Sequence, residues 1–317
     1  MIRADKHYII EQRRKLHRVP ELGFELDKTL RIVREELDKL GIGYTEKLGR
    51  SSIVATINPD SNGKVIAIRA DMDALPIEEK TGLPFSSEHP GKMHACGHDC
   101  HTAMLLGTAK MLSEIKDQLT CKVKLIFQAV EEKGGGANLL CKDGVMKDVD
   151  CIIACHVASG YDTGTVLLNR SVMNASSRSI SLTLNGKASH VSTPHLGTDA
   201  IAMACRVYND IQIMRARELN PLKPVVIGFG EIHGGTARNI VCDKVWFNGT
   251  VRALDAETDA QAAKRIQEIA ESVSNDMGGS YSIECEQFYP VLKNDAEIAD
   301  KLIKIVQENL RQRLLDL

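Results

Sequence analysis

The chain has 317 residues, 43% of them apolar and 26% charged, the make-up of a globular enzyme long enough for two domains. Its formal charge of -2, its pI near 6.6 and the lack of any basic block exclude nucleic acid and an anionic membrane as partners. No window is apolar enough to cross a bilayer, and residues 1–6 lack the apolar run of a signal peptide. The nine cysteines are odd in number, and several lie in apolar runs, so they read as reduced thiols in a cytoplasmic protein.

Residues 8–40 carry apolar side chains at helical spacing, broken by Pro20-Glu21-Leu22-Gly23-Phe24, which predicts two helices joined by a loop. Residues 52–58 read as a strand, Asn62-Gly63 as a turn, and 64–68 as a β-branched strand buried on both faces that runs into Asp71 and Asp73. A loop rich in Gly, Ser and Pro leads to 93–101 and then to a helix over about 102–115. Residues 121–130 form a strand ending in Glu131-Glu132, followed by a Gly134-Gly135-Gly136 turn and a short helix; 149–155 form another strand, ending in His156. Strands alternating with helices predict a three-layer α/β/α domain around a mostly parallel sheet.

From residue 179 apolar and polar residues alternate (Ile180, Leu182, Leu184), the mark of a sheet with one solvated face. Helix 199–217, strands 225–232 and 244–254, helix 256–277 and strand 280–286 complete a βαββαβ order, the ferredoxin-like split βαβ sandwich. The predicted organisation is a catalytic domain over 1–175, an inserted lid or dimerisation domain over 176–287, and a return to the catalytic domain over 288–317, incomplete, through a helix at about 295–310.

Open α/β sheets put their sites at the carboxyl ends of the strands. Three of these strands end in metal-competent residues: Asp71 and Asp73, Glu131 and Glu132, and His156. A fourth segment, His94-Ala95-Cys96-Gly97-His98-Asp99-Cys100-His101, adds a thiol and imidazoles just before a helix. Cys, His and carboxylate are the ligands zinc and manganese take. In an extended loop the Cys-x-His spacing points both ligands the same way, and Gly97 allows a bend between them. Two adjacent carboxylates repel unless a cation neutralises one. A metalloamidase needs one such carboxylate as ligand and one as base for the attacking water.

Arg69 to Pro76 (Arg-Ala-Asp-Met-Asp-Ala-Leu-Pro), Met93 to Asp99 (Met-His-Ala-Cys-Gly-His-Asp), Phe127 to Glu132, Gly186 to His190 and Gly249 to Arg252 together resemble the aminoacylase, hippurate hydrolase and auxin-conjugate hydrolase family. These are dinuclear metal amidohydrolases related to metallocarboxypeptidases. The resemblance implies Cys96, His98, Glu132 and His156 as metal ligands, Glu131 as general base, and Asp73 as the aspartate that orients a histidine ligand. It also implies His190 as oxyanion stabiliser and Asn239 with Arg252 as the grip on a substrate carboxylate. The implied activity is hydrolysis of N-acyl amino acids or related peptides by metal-activated water, with two manganese or zinc ions and a homodimer formed through the lid. The alternative is a degenerate member that binds metal or ligand without efficient turnover.

The chain departs from the family in Ala129-Val130, where Pro-Ala is usual, and in Cys100, where glycine is usual. Relatives continue past the long helix into a sheet element carrying a further histidine ligand. Here no histidine follows Gln307, so the expectation is one tightly held ion rather than two.

Overall fold

The computed structural model describes residues 4–309 and 314–316 and divides the chain into two compact units, Met1–Gly160 and Tyr161–Leu317. The sequence-predicted end of the last helix, near residue 310, lies outside the described residues.

The first unit opens with the two expected helices, α1 (Lys6–Arg18) and α2 (Asp27–Lys39). The strands are β1 (Tyr44–Thr45), β2 (Ile53–Ile57), β3 (Val65–Asp71), β4 (Lys122–Gln128) and β5 (Cys151–Ala154), with α3 (His98–Glu114) and α4 (Gly136–Lys142) between them. The sheet order is β1-β2-β4-β3-β5. Strands β4, β3 and β5 are parallel neighbours, β2 runs against β4, and β1 runs against β2, so four of the five strands point one way.

Side chains alternate across this sheet. Ile53, Ala55 and Ile57 of β2, with Val123, Leu125 and Phe127 of β4, join Leu30, Val33 and Leu37 of α2 and Leu105, Leu106 and Ala109 of α3. Val54 and Ile126 face the other way, onto Leu140 and Val145. Apolar burial on both faces is why β2 and β4 read as nearly unbroken hydrophobic runs, and it makes the unit the expected three-layer sandwich. The edge strand β5 departs from it, leaving Ile152 45% exposed.

In the second unit, β6 (Val166–Leu168) and β7 (Val172–Asn174) precede β8 (Ser177–Asn185), α5 (Ala200–Arg217), β9 (Val225–Gly234), β10 (Lys244–Ala253), α6 (Ala256–Asp276) and β11 (Ser280–Tyr289). After these come β12 (Leu292–Lys293), which pairs with β7, α7 (Ala296–Asn309), and β13 (Leu314–Asp316), which pairs with β6. Strands β11-β8-β10-β9 form an antiparallel sheet in the split βαβ order, with Ile180, Leu182, Leu184, Val245 and Phe247 packed on Met203, Val207, Ile211, Ile266 and Val273 of the two helices. The outer edge of the ten-residue β9 is unpaired in this sheet. No helix among the described residues is long and apolar enough to cross a membrane.

Candidate metal centre

Asp71 closes β3 and Asp73 follows two residues later, each 1% exposed. The Asp73 carboxylate accepts the backbone N–H groups of Glu131 (2.9 Å) and Glu132 (3.0 Å), just beyond β4. Val130 turns the chain out of that strand at φ 54, a conformation a β-branched residue adopts only where its surroundings enforce it.

The Cys96-Gly97-His98 segment is built differently from the extended loop expected. Gly97 sits at φ 89 and caps α3, so His98 is the first residue of the helix. This tight left-handed turn, rather than strand-like alternation, sets Cys96 beside His98, and donor atoms of Cys96, His98 and His156, which could hold a metal ion, all lie within 4.8 Å of one another. A Cβ on Gly97 would approach Val157 Cγ2 to 2.3 Å, so glycine is required by the turn and by the contact alike.

His98 is the hub. Its Nδ1 donates to the Asp73 backbone carbonyl at 2.7 Å, which leaves Nε2 as the atom with a lone pair. Around that Nε2 stand Asp71 Oδ2 (3.7 Å), Glu132 Oε1 (3.7 Å) and Glu131 Oε2 (4.0 Å). Both His98 Nε2 and Glu132 Oε1 are buried without a hydrogen-bond partner. Two buried acceptor atoms facing each other are costly unless something positive lies between them, so this donor set fits a divalent cation. His156 follows β5; its Nδ1 donates to the Val157 carbonyl at 2.6 Å, and its Nε2 faces Cys96 Sγ at 3.4 Å.

Burial, followed by the Glu132, Glu131 and Asp71 carboxylates, pushes the Cys96 thiol up to about 12. A cation in their midst reverses that field and favours the thiolate. Burial raises the Glu131 carboxyl as well, helped by Asp71 and Glu132. Asp71 goes the other way: burial opposes its ionisation, but His101, Arg69 and His98 hold it well below the usual carboxylate range.

In the second unit, the 186–200 loop and the segment before β10 run side by side. His190 pairs with Ile240, and the Val191 N–H donates to the Asn239 carbonyl at 3.1 Å, so His190 and Asn239 are neighbours. His190 Nδ1 accepts the Ser192 N–H (3.2 Å), which leaves the ring proton on Nε2. Arg252 lies eight residues along β10 from Lys244, roughly 25 Å at strand rise, toward the other end of the strand from the segment that carries Asn239.

The sequence marks Asp71 as metal-competent and His101 as one of the imidazoles before the helix, but does not join the two. The His98-x-x-His101 spacing was the available signal, since residues three apart share a helix face, and the two rings lie 5.5 Å apart. A further buried cluster had no sequence signal at all. His17 of α1 is held between Asp99 Oδ2 (2.7 Å) and Glu79 Oε1 (3.3 Å), and Arg13 Nε also reaches Asp99 (2.8 Å).

Residues 67–315 match the profile of peptidase family M20/M25/M40. A thermostable carboxypeptidase of Saccharolobus solfataricus is 37% identical over 96% of this chain and 79% of its own length. An N-acetyl-L-cysteine deacetylase of Bacillus subtilis is 36% identical over 97% of the chain and 74% of its own length. Among solved structures, a dinuclear-metal-binding M20 peptidase of Bacillus subtilis superposes with a TM-score of 0.84 at 29% identity, covering 98% of this chain and 83% of that one.

Proposed function

We propose that this chain, which belongs to peptidase family M20/M25/M40 and is therefore a metal-dependent hydrolase of C–N amide bonds, removes the acyl group from N-acyl amino acids. The observation that carries this reading is the buried, unpartnered pair His98 Nε2 and Glu132 Oε1, with Cys96 and His156 beside them and Glu131 next in sequence. The deacetylase relative supports an acylated amino acid as the substrate class.

Cys96, His98, Glu132 and His156 would hold the divalent metal, manganese or zinc, whose charge the buried, unpartnered His98 Nε2 and Glu132 Oε1 call for. When bound, such ions supply Lewis acidity, polarising the scissile carbonyl and lowering the pKa of water. The remaining chemistry belongs to the side chains. Glu131, whose carboxyl burial and the neighbouring Asp71 raise, takes a proton from the attacking water as the new C–O bond forms. It returns that proton to the amine nitrogen as the C–N bond breaks. His190, with its proton on Nε2, donates to the oxyanion. Asn239 and Arg252 recognise the carboxylate of the amino acid.

Asn239 precedes β10 and Arg252 lies near its far end, a placement that favours their meeting one carboxylate from two copies, and the unpaired edge of β9 offers a place for a second copy to pair. On this reading residues 176–287 are a lid through which a cytoplasmic homodimer forms, and residues 1–175 with 288–317 make the catalytic domain. The test is hydrolysis of a panel of N-acyl amino acids before and after chelation, with manganese or zinc added back. Turnover that persists in metal-free protein refutes the mechanism.

A further inference from the structure

The geometry points to Asp71 and His101 as a positioning dyad that sets the ring orientation and tautomer of the metal ligand His156 through the backbone of Val157. His156 is the least supported of the candidate ligands. It lies beyond the short edge strand β5, outside regular structure, and its side chain is exposed. His98, by contrast, is fixed by helix α3 and is 1% exposed.

A continuous chain of hydrogen bonds ties His156 to the core. Asp71 Oδ1 accepts from His101 Nδ1 at 2.6 Å. His101 Nε2 then accepts the Val157 N–H at 2.9 Å. The Val157 carbonyl accepts the His156 Nδ1–H at 2.6 Å, leaving His156 Nε2 turned to Cys96 Sγ. Each link fixes the next. Because Asp71 is acceptor-only, His101 carries its proton on Nδ1 and offers a lone pair at Nε2; the peptide held there presents its carbonyl to His156.

The base of the chain is rigid. Asp71 and His101 are 1% and 3% exposed, Arg69 Nη1 lies 2.8 Å from Asp71 Oδ2, and the Thr102 hydroxyl donates to the Asp71 carbonyl at 2.8 Å. Val157 is also seated independently, in the space that the missing Cβ of Gly97 leaves open. Both nitrogens of His101 are already engaged, so although it clusters with Asp71 and His98 as a conceivable ligand group, it serves as a holder and not as a ligand.

This inference rests on the metal-site reading above, and its test is read in metal binding rather than turnover. Metal-free protein is titrated with cobalt(II), followed by the visible spectrum, and with zinc by competition. His101→Leu is expected to lower the affinity of the tighter site by about 10- to 100-fold and to alter the cobalt spectrum. In His101→Gln, whose amide can both donate to Asp71 and accept from Val157, affinity and spectrum should return to within a few-fold of the parent. Unchanged affinity and spectrum in the leucine variant would overturn the dyad while leaving the hydrolase reading intact; a parent that binds no divalent ion sinks both. Imidazole nitrogen-15 spectra of the parent loaded with cadmium-113 guard against a variant that fails to fold. The dyad requires His101 as the Nδ1–H tautomer without coupling to the metal and His156 coupled through Nε2. Coupling from cadmium to His101 refutes it.

Discussion

Asp73→Asn isolates one carboxylate that organises the acidic pair. In the parent, the two Asp73 oxygens accept one backbone N–H each, from Glu131 and Glu132, in a site 1% exposed. A hydrogen bond to a charged group contributes about 1.5–3 kcal/mol. Asparagine keeps one acceptor oxygen, so one bond survives in neutral form at about 1 kcal/mol, while the other N–H meets an amide donor and is left unpaired. The expected loss is about 2–4 kcal/mol, which lowers the melting temperature of a unit this size by roughly 5–15 °C. The backbone carbonyl that holds His98 Nδ1 is untouched, so the His98 ring stays in place while Glu132 is released. Calorimetry of metal-free protein reads the first effect, and metal content after dialysis reads the second, as a deficit in the ion that Glu132 shares. An Asp73→Asn protein that melts with the parent and retains its full metal complement would refute the assignment.

Glu131→Gln should keep its metal and lose roughly 10²-fold or more in kcat, the scale of a missing general base, whereas Glu132→Gln should lose metal; the opposite pattern reverses the two roles. Because the metal-free Cys96 thiol is pushed up to about 12, metal uptake near neutral pH should release a proton, and apparent affinity should rise about tenfold per pH unit for that proton. A pH-indicator titration reads this, and a Cys96→Ser protein that releases the same proton contradicts it. His17 is raised above its ordinary 6.5, chiefly by its hydrogen bond to Asp99. Its stabilisation is therefore full below the unfolded value and fades as pH climbs through the folded one, so the melting deficit of His17→Gln should shrink from acid to alkaline buffer. A deficit that grows instead rules out a charged His17. Arg252→Ala should cost about 1.5–3 kcal/mol of binding for substrates with a free carboxylate, and an equal loss on their methyl esters argues against that role.

The sheets were legible because their signal is local. Alternation in Ile180, Leu182 and Leu184 and the apolar runs of β2 and β4 are consequences of which faces are buried, and burial writes itself into adjacent residues. The ligand segments were legible because strand ends in an open sheet converge. What stayed hidden depends on contacts between residues distant in sequence. Nothing near His17 announces Asp99, 82 residues away, and nothing near Val157 announces His101, 56 residues away. The start of α3 was misplaced for a related reason. Gly97 reads as a bend between two ligands, yet at φ 89 it caps the helix, and that left-handed turn together with the close approach of Val157 explains why no other residue would serve there.

Partner inventories divide the labour among the four carboxylates better than their sequence positions do. All four surround one imidazole, and like charges so close are tolerated only if each finds a positive or hydrogen-bonding counterpart. Asp73 spends both oxygens on backbone N–H groups, and Asp71 spends its own on His101 and Arg69. Neither has an oxygen to give to a cation without breaking a bond that shapes the site, so both act as framework. Glu132 differs. Its side chain is only 18% exposed, and its Oε1 is buried and unpartnered beside an equally unpartnered His98 Nε2, an arrangement a cation completes. Glu131 is the most exposed of the four, at 33%, and its carboxyl is raised rather than lowered. A base must reach water and hold a proton for part of the cycle, and a ligand must do neither. On the proposed mechanism, environment thus separates the adjacent glutamates into two roles that their shared chemistry would not distinguish.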